Sequence, residues 1–421
     1  MVVAVYVISN IQIWAVGALD RLLMTGSQKY QASPVPPPPP PLSAVPRPAK
    51  KWPKVVVPVD SAQAADCGEE EEVGFPHELP SKEIQEALSA TRLERLYDLL
   101  PEGMTPRTIF IPLTRATARL LVDAYEAGRD APPDRRRNTQ DPLNSFEATL
   151  RSEVGPILQK TLDSFGPQGT FVKGPVRSPK DSVMKSGRWE LEYKRLLRAN
   201  PQVLTASVND RMGLFFDAAG KALRYKTAEE LLRAFILSTR ILQDMLIYLQ
   251  LEDDSHQNFV FREWEPVPVD AEFRLFVVNG VLTAISEYMF KLYSPRLIAS
   301  QNSIRTHLTT YHAEVIAPAI GHLYVRYIVD VTIRGFSGSN ETDWRPQVLE
   351  VNPLVALEAG FSGEALFADE KGKQILMGTA KDVAYPVIRV QELPQGLSWM
   401  EKAKQNFMTR VEREVAEELG S

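Results

Sequence analysis

The dipeptide Asn279-Gly280 stands between two apolar runs, at 271–278 and 281–285. A two-residue loop with both central residues at positive φ turns the chain with the twist that antiparallel strands need, and Asn-Gly is its strongest short-range signal. Segment 271–285 therefore reads as a hairpin. Strand alternation puts Glu272 and Arg274 on one face, with Phe273, Leu275 and Val277 on the other. Two more short apolar strands follow, Tyr327-Ile-Val-Asp330-Val-Thr and Gln347-Val-Leu-Glu350-Val-Asn352-Pro353. The stretch between them, 335–343, is rich in turn formers, so they are expected to pair antiparallel. Asp330 then lies close to Glu350 and Asn352. Alternation points Glu350 and Asn352 the same way, with Val348 continuing that face behind them.

Two carboxylates and an amide on apolar strands admit two readings. Magnesium takes hard oxygen ligands, typically one or two carboxylates completed by water and phosphate. Alternatively, Asp330 and Glu350 pair with Arg326 or Arg345 on a solvated edge, since a buried charge needs a partner. These residues alone leave both open.

The 421 residues, 44% hydrophobic, suffice for one large domain or two joined lobes. Lys and Arg number 48 against 53 Asp and Glu, a net charge of -5 that argues against a general nucleic-acid binder. The single cysteine, Cys67, forms no internal disulfide, and no Cys/His spacing suggests zinc. His307 and His312 read as surface or core residues. A reducing, cytoplasmic setting is the expectation.

The apolar start, 1–24, is interrupted by Asn10, Gln12 and Asp20, short of the roughly 20 apolar residues of a membrane span. It also lacks the basic n-region of a secretory signal, and is read as carrying no functional weight. The proline-dominated stretch 32–58, with an unbroken run at 36–41, reads as a stiff polyproline II spacer, an SH3 or WW partner being the minority reading. With the acidic patch 69–72, the whole of 1–80 is expected to be a disordered tail. Order is expected from a helix over 81–100, then a strand at 109–113 and helices over 114–127, 143–165 and 227–250. The loop 130–141, with Arg135, Arg136 and Arg137, reads as solvated. An amphipathic helix over 398–419 is expected to pack on a lobe. The resulting division is 1–80 tail, 81–262 N-terminal lobe, 263–395 C-terminal lobe and 396–421 terminal helix.

Two segments bear on ligand chemistry. In Thr170-Phe-Val-Lys173-Gly-Pro-Val-Arg177-Ser178-Pro179-Lys180-Asp181, a lysine ends a short apolar strand, and Arg177, Ser178 and Lys180 follow on a loop. Such donors suit phosphate, although the Gly-Lys-Ser/Thr of a Walker A loop is absent. A basic surface turn held by Pro175 and Pro179 is the other reading. Phe259-Val-Phe-Arg262-Glu263-Trp264-Glu265-Pro-Val267-Pro-Val-Asp270 runs from an apolar strand into a proline-rich bend, as a hinge between lobes does.

A strand lysine, a hinge, a Glu-x-Arg strand and an acidic pair ending in Asn-Pro, in that order, resemble the ATP-grasp superfamily. Phe171-Val-Lys173 with Ser178-Pro179-Lys180-Asp181, Phe261-Arg262-Glu263-Trp264, Glu272-Phe273-Arg274, Tyr327-Ile-Val-Asp330-Val and Leu349-Glu350-Val-Asn352-Pro353 look like motifs of its cell division cycle protein 123 family. The resemblance spans roughly 110–392. Arg177 stands where that family has tryptophan, Glu350 where it has aspartate, and 187–224 looks like an added segment.

The resemblance implies an α+β ATP-grasp-like fold, two lobes with antiparallel sheets enclosing a nucleotide. It implies ATP and Mg2+ as cofactors, with Lys173 contacting phosphate, Lys180 and Arg274 nearby, and Ser178, Asp181 and Glu272 also binding the cofactor. The hinge around Glu263, Trp264, Glu265 and Val267 would hold adenine and ribose, with Arg262 also binding the cofactor, and Asp330, Glu350 and Asn352 the metal. It further implies an assembly chaperone for eukaryotic translation initiation factor two, with its gamma subunit as partner. That role needs no catalytic nucleophile or base, and none stands out. An ATP-dependent carboxylate-amine ligase is the alternative, and a scaffold acting through the proline run ranks last.

Overall fold

The computed structural model describes residues 92–129, 145–250, 257–336, 340–354, 364–394, 396, 400 and 402–420. The apolar start, the proline run, the acidic patch and the three arginines of the 130–141 loop lie outside them, as do 81–91 of the first expected helix.

Among the described residues, two sheets carry the fold. The first has four antiparallel strands, β1 (Thr108–Leu113), β2 (Thr170–Lys173), β3 (Arg224–Tyr225) and β4 (Gln257–Glu263), in the order β1-β4-β2-β3. The second has five, β5 (Glu272–Val278), β6 (Val281–Glu287), β7 (Arg326–Arg334), β8 (Arg345–Pro353) and β9 (Val387–Arg389), in the order β8-β7-β5-β6-β9. Only β9 runs parallel to its neighbour. Helices cover both sheets, so the class is α+β with predominantly antiparallel sheets, as expected.

The hairpin turns where the dipeptide placed it. Asn279 (φ 51°) and Gly280 (φ 75°) both take the left-handed conformation that a tight two-residue turn demands. Phe273, Leu275 and Val277 enter a core with Val329, Val331 and the helix Pro295–Tyr311, covering one face of the second sheet. The opposite face is apolar at one end only, where Phe276, Ala284 and Ile328 meet Phe367 and the helix Glu370–Leu376. The first sheet packs Val172, Phe259 and Phe261 against the helices around it.

Three expectations are corrected. The helix expected over 143–165 is two, Ser145–Glu153 and Gly155–Asp163, because Gly155-Pro156 restarts the ladder with proline in a first turn. The helix expected over 227–250 is also two, Ala228–Ile236 and Thr239–Gln250. Ser238 divides them, its hydroxyl accepting from the Ile241 amide at 3.2 Å as a helix cap does. Val348 does not continue the Glu350 face. A β-bulge on β8 inserts Leu349, so Val348 pairs with Val331 and joins the Val329 and Val351 core instead.

The segment following the loop at 174–181 builds a third core. Its helices Arg188–Ala199 and Val208–Lys221 pack Trp189, Tyr193, Leu197, Met212 and Phe215 against Met408, Val411 and Val415 of the terminal helix Lys402–Gly420. Glu412 accepts from the Tyr193 hydroxyl (2.7 Å) and from Arg211 (2.8 Å) inside that interface. Among the described residues, no helix is long and apolar enough to cross a membrane.

Candidate functional site

Asp330 on β7 pairs in register with Glu350 on β8 and with Arg274 on β5, and Arg274 pairs with Ser286 on β6. Ser286 in turn pairs with Arg389 on β9. Directly opposed residues share a face. The result is one polar row, Glu350, Asp330, Arg274, Ser286 and Arg389, crossing all five strands. Two bulges make it. The one at Leu349 turns Glu350 out of line with Val348, and one between Phe276 and Val277 shifts the hairpin so that Ser286, not Ile285, faces Arg274.

Arg274 clasps Asp330 through both oxygens, Nε to Oδ1 at 2.6 Å and Nη2 to Oδ2 at 2.7 Å. Lys173, at the end of β2 in the other sheet, donates to Glu350 Oε2 at 2.8 Å. Asn352 donates to Asp330 Oδ2 and to Glu350 Oε1, both at 3.3 Å. The cluster thus balances two carboxylates with two cations, and joins the sheets through one ion pair. Neither acid pairs with Arg326 or Arg345; Arg345 donates to the Thr342 and Trp344 carbonyls.

Burial alone would raise the Glu350 carboxyl, but the Lys173 ammonium, with Lys180 and the Asn352 amide, holds it well below the usual carboxylate range. Burial raises Asp330, against the pull of Arg274. Half-buried Glu272 is pushed up to about 7 by burial, with Asp330 and Glu350 adding to the rise and Lys180 opposing it.

A second tie joins the sheets. Arg262 of β4 donates through Nη1 to the Leu349 carbonyl and through Nη2 to that of Val348, at the bulge. Its Nε is buried without a hydrogen-bond partner, as is the Ser286 hydroxyl. Burial lowers Arg262 to about 10, Glu350 working the other way.

The expected site residues divide into three groups. Lys173, Arg274, Asp330, Glu350 and Asn352 form the cluster. Lys180 reaches across to the second sheet, donating to the Tyr288 hydroxyl at 3.2 Å, and Arg274 lies 5.1 Å from the same ring. Glu272 shares the face of the cluster one step along β5. The bend residues Glu263, Trp264, Glu265 and Val267 follow Arg262 at the edge, where Glu265 pairs with Arg334 at 3.0 Å. Asp181 is engaged elsewhere, accepting from Ser238 Oγ and from the Thr239 amide at 2.8 Å. Arg177 likewise turns to the helix Thr239–Gln250, and the main-chain carbonyl of buried Ser178 accepts from Arg240. Ser286, Tyr288 and Arg389 escaped the sequence reading, because a hairpin without the bulge would set Ile285 against Arg274.

The donor set suits magnesium in kind. Among the described residues no three His, Cys, Asp or Glu gather as a ready-made metal site. Two carboxylates and an amide oxygen are nonetheless what Mg2+ takes from a protein when phosphate and water supply the rest.

Residues 220–353 match the D123 family. That stretch, about a third of the chain, is where the resemblance to the cell division cycle protein 123 family is supported by a family match. The match takes in Arg262, Glu272, Arg274, Asp330, Glu350 and Asn352, while Lys173 and the loop after it precede its start. The structure of Cdc123 from Schizosaccharomyces pombe overlaps this one with a TM-score of 0.48 at 16% identity, over 73% of this chain and 97% of that one. A C-terminally truncated Cdc123 from the same organism gives 0.46 at 16% identity and the same coverage. No curated protein matches the sequence.

Proposed function

We propose that this protein binds ATP with magnesium between its two sheets and acts as an assembly chaperone for eukaryotic translation initiation factor two in the cytoplasm, receiving the gamma subunit. The observation that carries the reading is the junction itself. Lys173 from one sheet meets Glu350 from the other at 2.8 Å, beside Asp330, Asn352 and Arg274. In this reading Lys173, now paired with Glu350, would be the group to hold phosphate, and Asp330, Glu350 and Asn352 would be the groups to hold Mg2+. Arg274 and Lys180 neutralise further phosphate charge. The segment from Arg262 to Val267 borders adenine and ribose. Magnesium supplies charge neutralisation and holds the phosphate chain. The partner follows from the family resemblance, and the chaperone role asks of the nucleotide only that it fix the two lobes together.

Titration calorimetry of ATP into the full chain, with and without magnesium, tests this beside an Asp330→Ala, Glu350→Ala double variant. Magnesium-dependent binding that the double variant loses is the expected result, followed by co-precipitation of the gamma subunit. A folded wild-type chain that binds no ATP would refute the nucleotide reading.

A further inference from the structure

The loop from Gly174 to Asp181 is held by an arginine and an aspartate outside the acid cluster. Arg177 donates from Nε to Asp244 Oδ1 at 2.8 Å, and its main-chain amide donates to Asp244 Oδ2 at 3.1 Å. Its Nη2 lies 2.6 Å from Asp244 Oδ1 and donates to the Arg240 carbonyl at 3.0 Å. Asp244 is buried in the helix Thr239–Gln250, so this ion pair is well shielded from solvent. The loop closes on itself where the Gly174 amide donates to the Arg177 carbonyl at 2.9 Å. Two residues on, Arg240 donates to the Ser178 carbonyl at 3.1 Å, and Asp181 caps the same helix through the Thr239 amide. Beyond its internal bonds, the loop is thus tied through Arg177, Ser178 and Asp181 to the first half of one helix. Val176 and Lys180 are the exposed side chains of the loop, and of the two Lys180 reaches Tyr288, just past the end of β6 in the other sheet.

We propose that Arg177, through Asp244, is a positioning residue that presents Lys180 to the phosphate chain of the bound nucleotide, a role that rests on the nucleotide reading above. A charge pair with three donors fixes direction as well as depth, which packing of a ring alone does not.

The test is a double-mutant cycle on the full chain, reading ATP affinity with magnesium by calorimetry for wild type, Arg177→Met, Lys180→Ala and the pair. Each single variant is expected to bind roughly tenfold more weakly, and the pair no more weakly than Lys180→Ala alone, because Arg177 acts only through Lys180. Hydrogen exchange without ligand is the second arm. The 174–181 amides should exchange at least about tenfold faster in Arg177→Met and in Asp244→Asn, and at an intermediate rate in Arg177→Lys, which keeps the charge without the fork. Losses that simply add, or unchanged loop exchange in both variants, overturn the positioning role while ATP binding by wild type leaves the nucleotide reading standing. Wild type that binds no ATP overturns both.

Discussion

Lys173 and Glu350 form the ion pair among the contacts that join the two sheets, and its strength is measurable without any ligand. The ammonium lies 2.8 Å from Oε2, with the lysine side chain 8% exposed and the glutamate 34%. A charge-assisted hydrogen bond contributes about 1.5–3 kcal/mol net. Removing one partner of a fully buried pair costs roughly 3–5 kcal/mol because the other charge is stranded, and the one-third exposure of Glu350 discounts that to about 2–3. Lys173→Met is therefore expected to cost about 2–3 kcal/mol, with Glu350 left facing Asp330. Glu350→Gln should cost about 1–2, since the amide oxygen still accepts from lysine. In the double variant the coupling should appear as roughly 1.5–3 kcal/mol less than the sum of the single losses. Urea unfolding followed by tryptophan fluorescence and far-UV dichroism gives each value. The pH dependence supplies a second check. Glu350 is held below its unfolded value of 4.5, so its contribution is fully present above that pH and is lost as the pH falls through the folded-state pKa. Glu350→Gln should lack that acid-side decline. A coupling under about 0.5 kcal/mol near neutral pH, or identical acid-side slopes in the two proteins, would refute the reasoning.

Three further outcomes are expected. Glu287 is fully buried, and burial pushes it up to about 8, the hydrogen bond from the Gln391 amide opposing the rise. Stability should therefore fall as pH rises between 4.5 and about 8, and Glu287→Gln should flatten that slope, the gain at alkaline pH being on the order of 3–5 kcal/mol. Phe215→Ala empties the centre of the third core, where Trp189 stacks at 4.3 Å, and should cost about 3–5 kcal/mol in urea unfolding. A loss under about 1 kcal/mol would mean that this core closes over the gap. Gly280→Ala meets open space but a φ of +75°, so thermal unfolding should register strain alone, roughly 1–2 kcal/mol, with Gly280→Asn milder.

Legibility followed the range of the interactions. Asn279-Gly280 declared its hairpin because turn chemistry is local, and the period-two pattern around Asp330 and Glu350 was enough to set them opposite one another. The two bulges were not readable. An inserted Leu349 looks like any strand residue, yet it moves Val348 into the core and offers two carbonyls to Arg262. Ser238 read as one more helical serine until Asp181, far back in the chain, gave its hydroxyl and the next amide an acceptor. The direction of Arg177 was hidden for the same reason, its partner Asp244 lying 67 residues further on. The apolar stripe of the terminal helix was plain, with Val411 and Val415 buried as its spacing implied, but its seat on the 188–221 helices depends on tertiary pairing that no periodicity encodes.

That seat sets a timetable for synthesis. Tyr193 and Glu412, which meet inside it, are 219 residues apart. At about 5–20 residues per second, the aromatic face of Trp189, Tyr193 and Phe215 leaves the ribosome on the order of 10–40 s before the helix that covers it. A protein proposed to escort another through assembly thus begins its own life with a greasy surface waiting for cover, and holding factors that bind exposed aromatic helices would have their window on the nascent chain there.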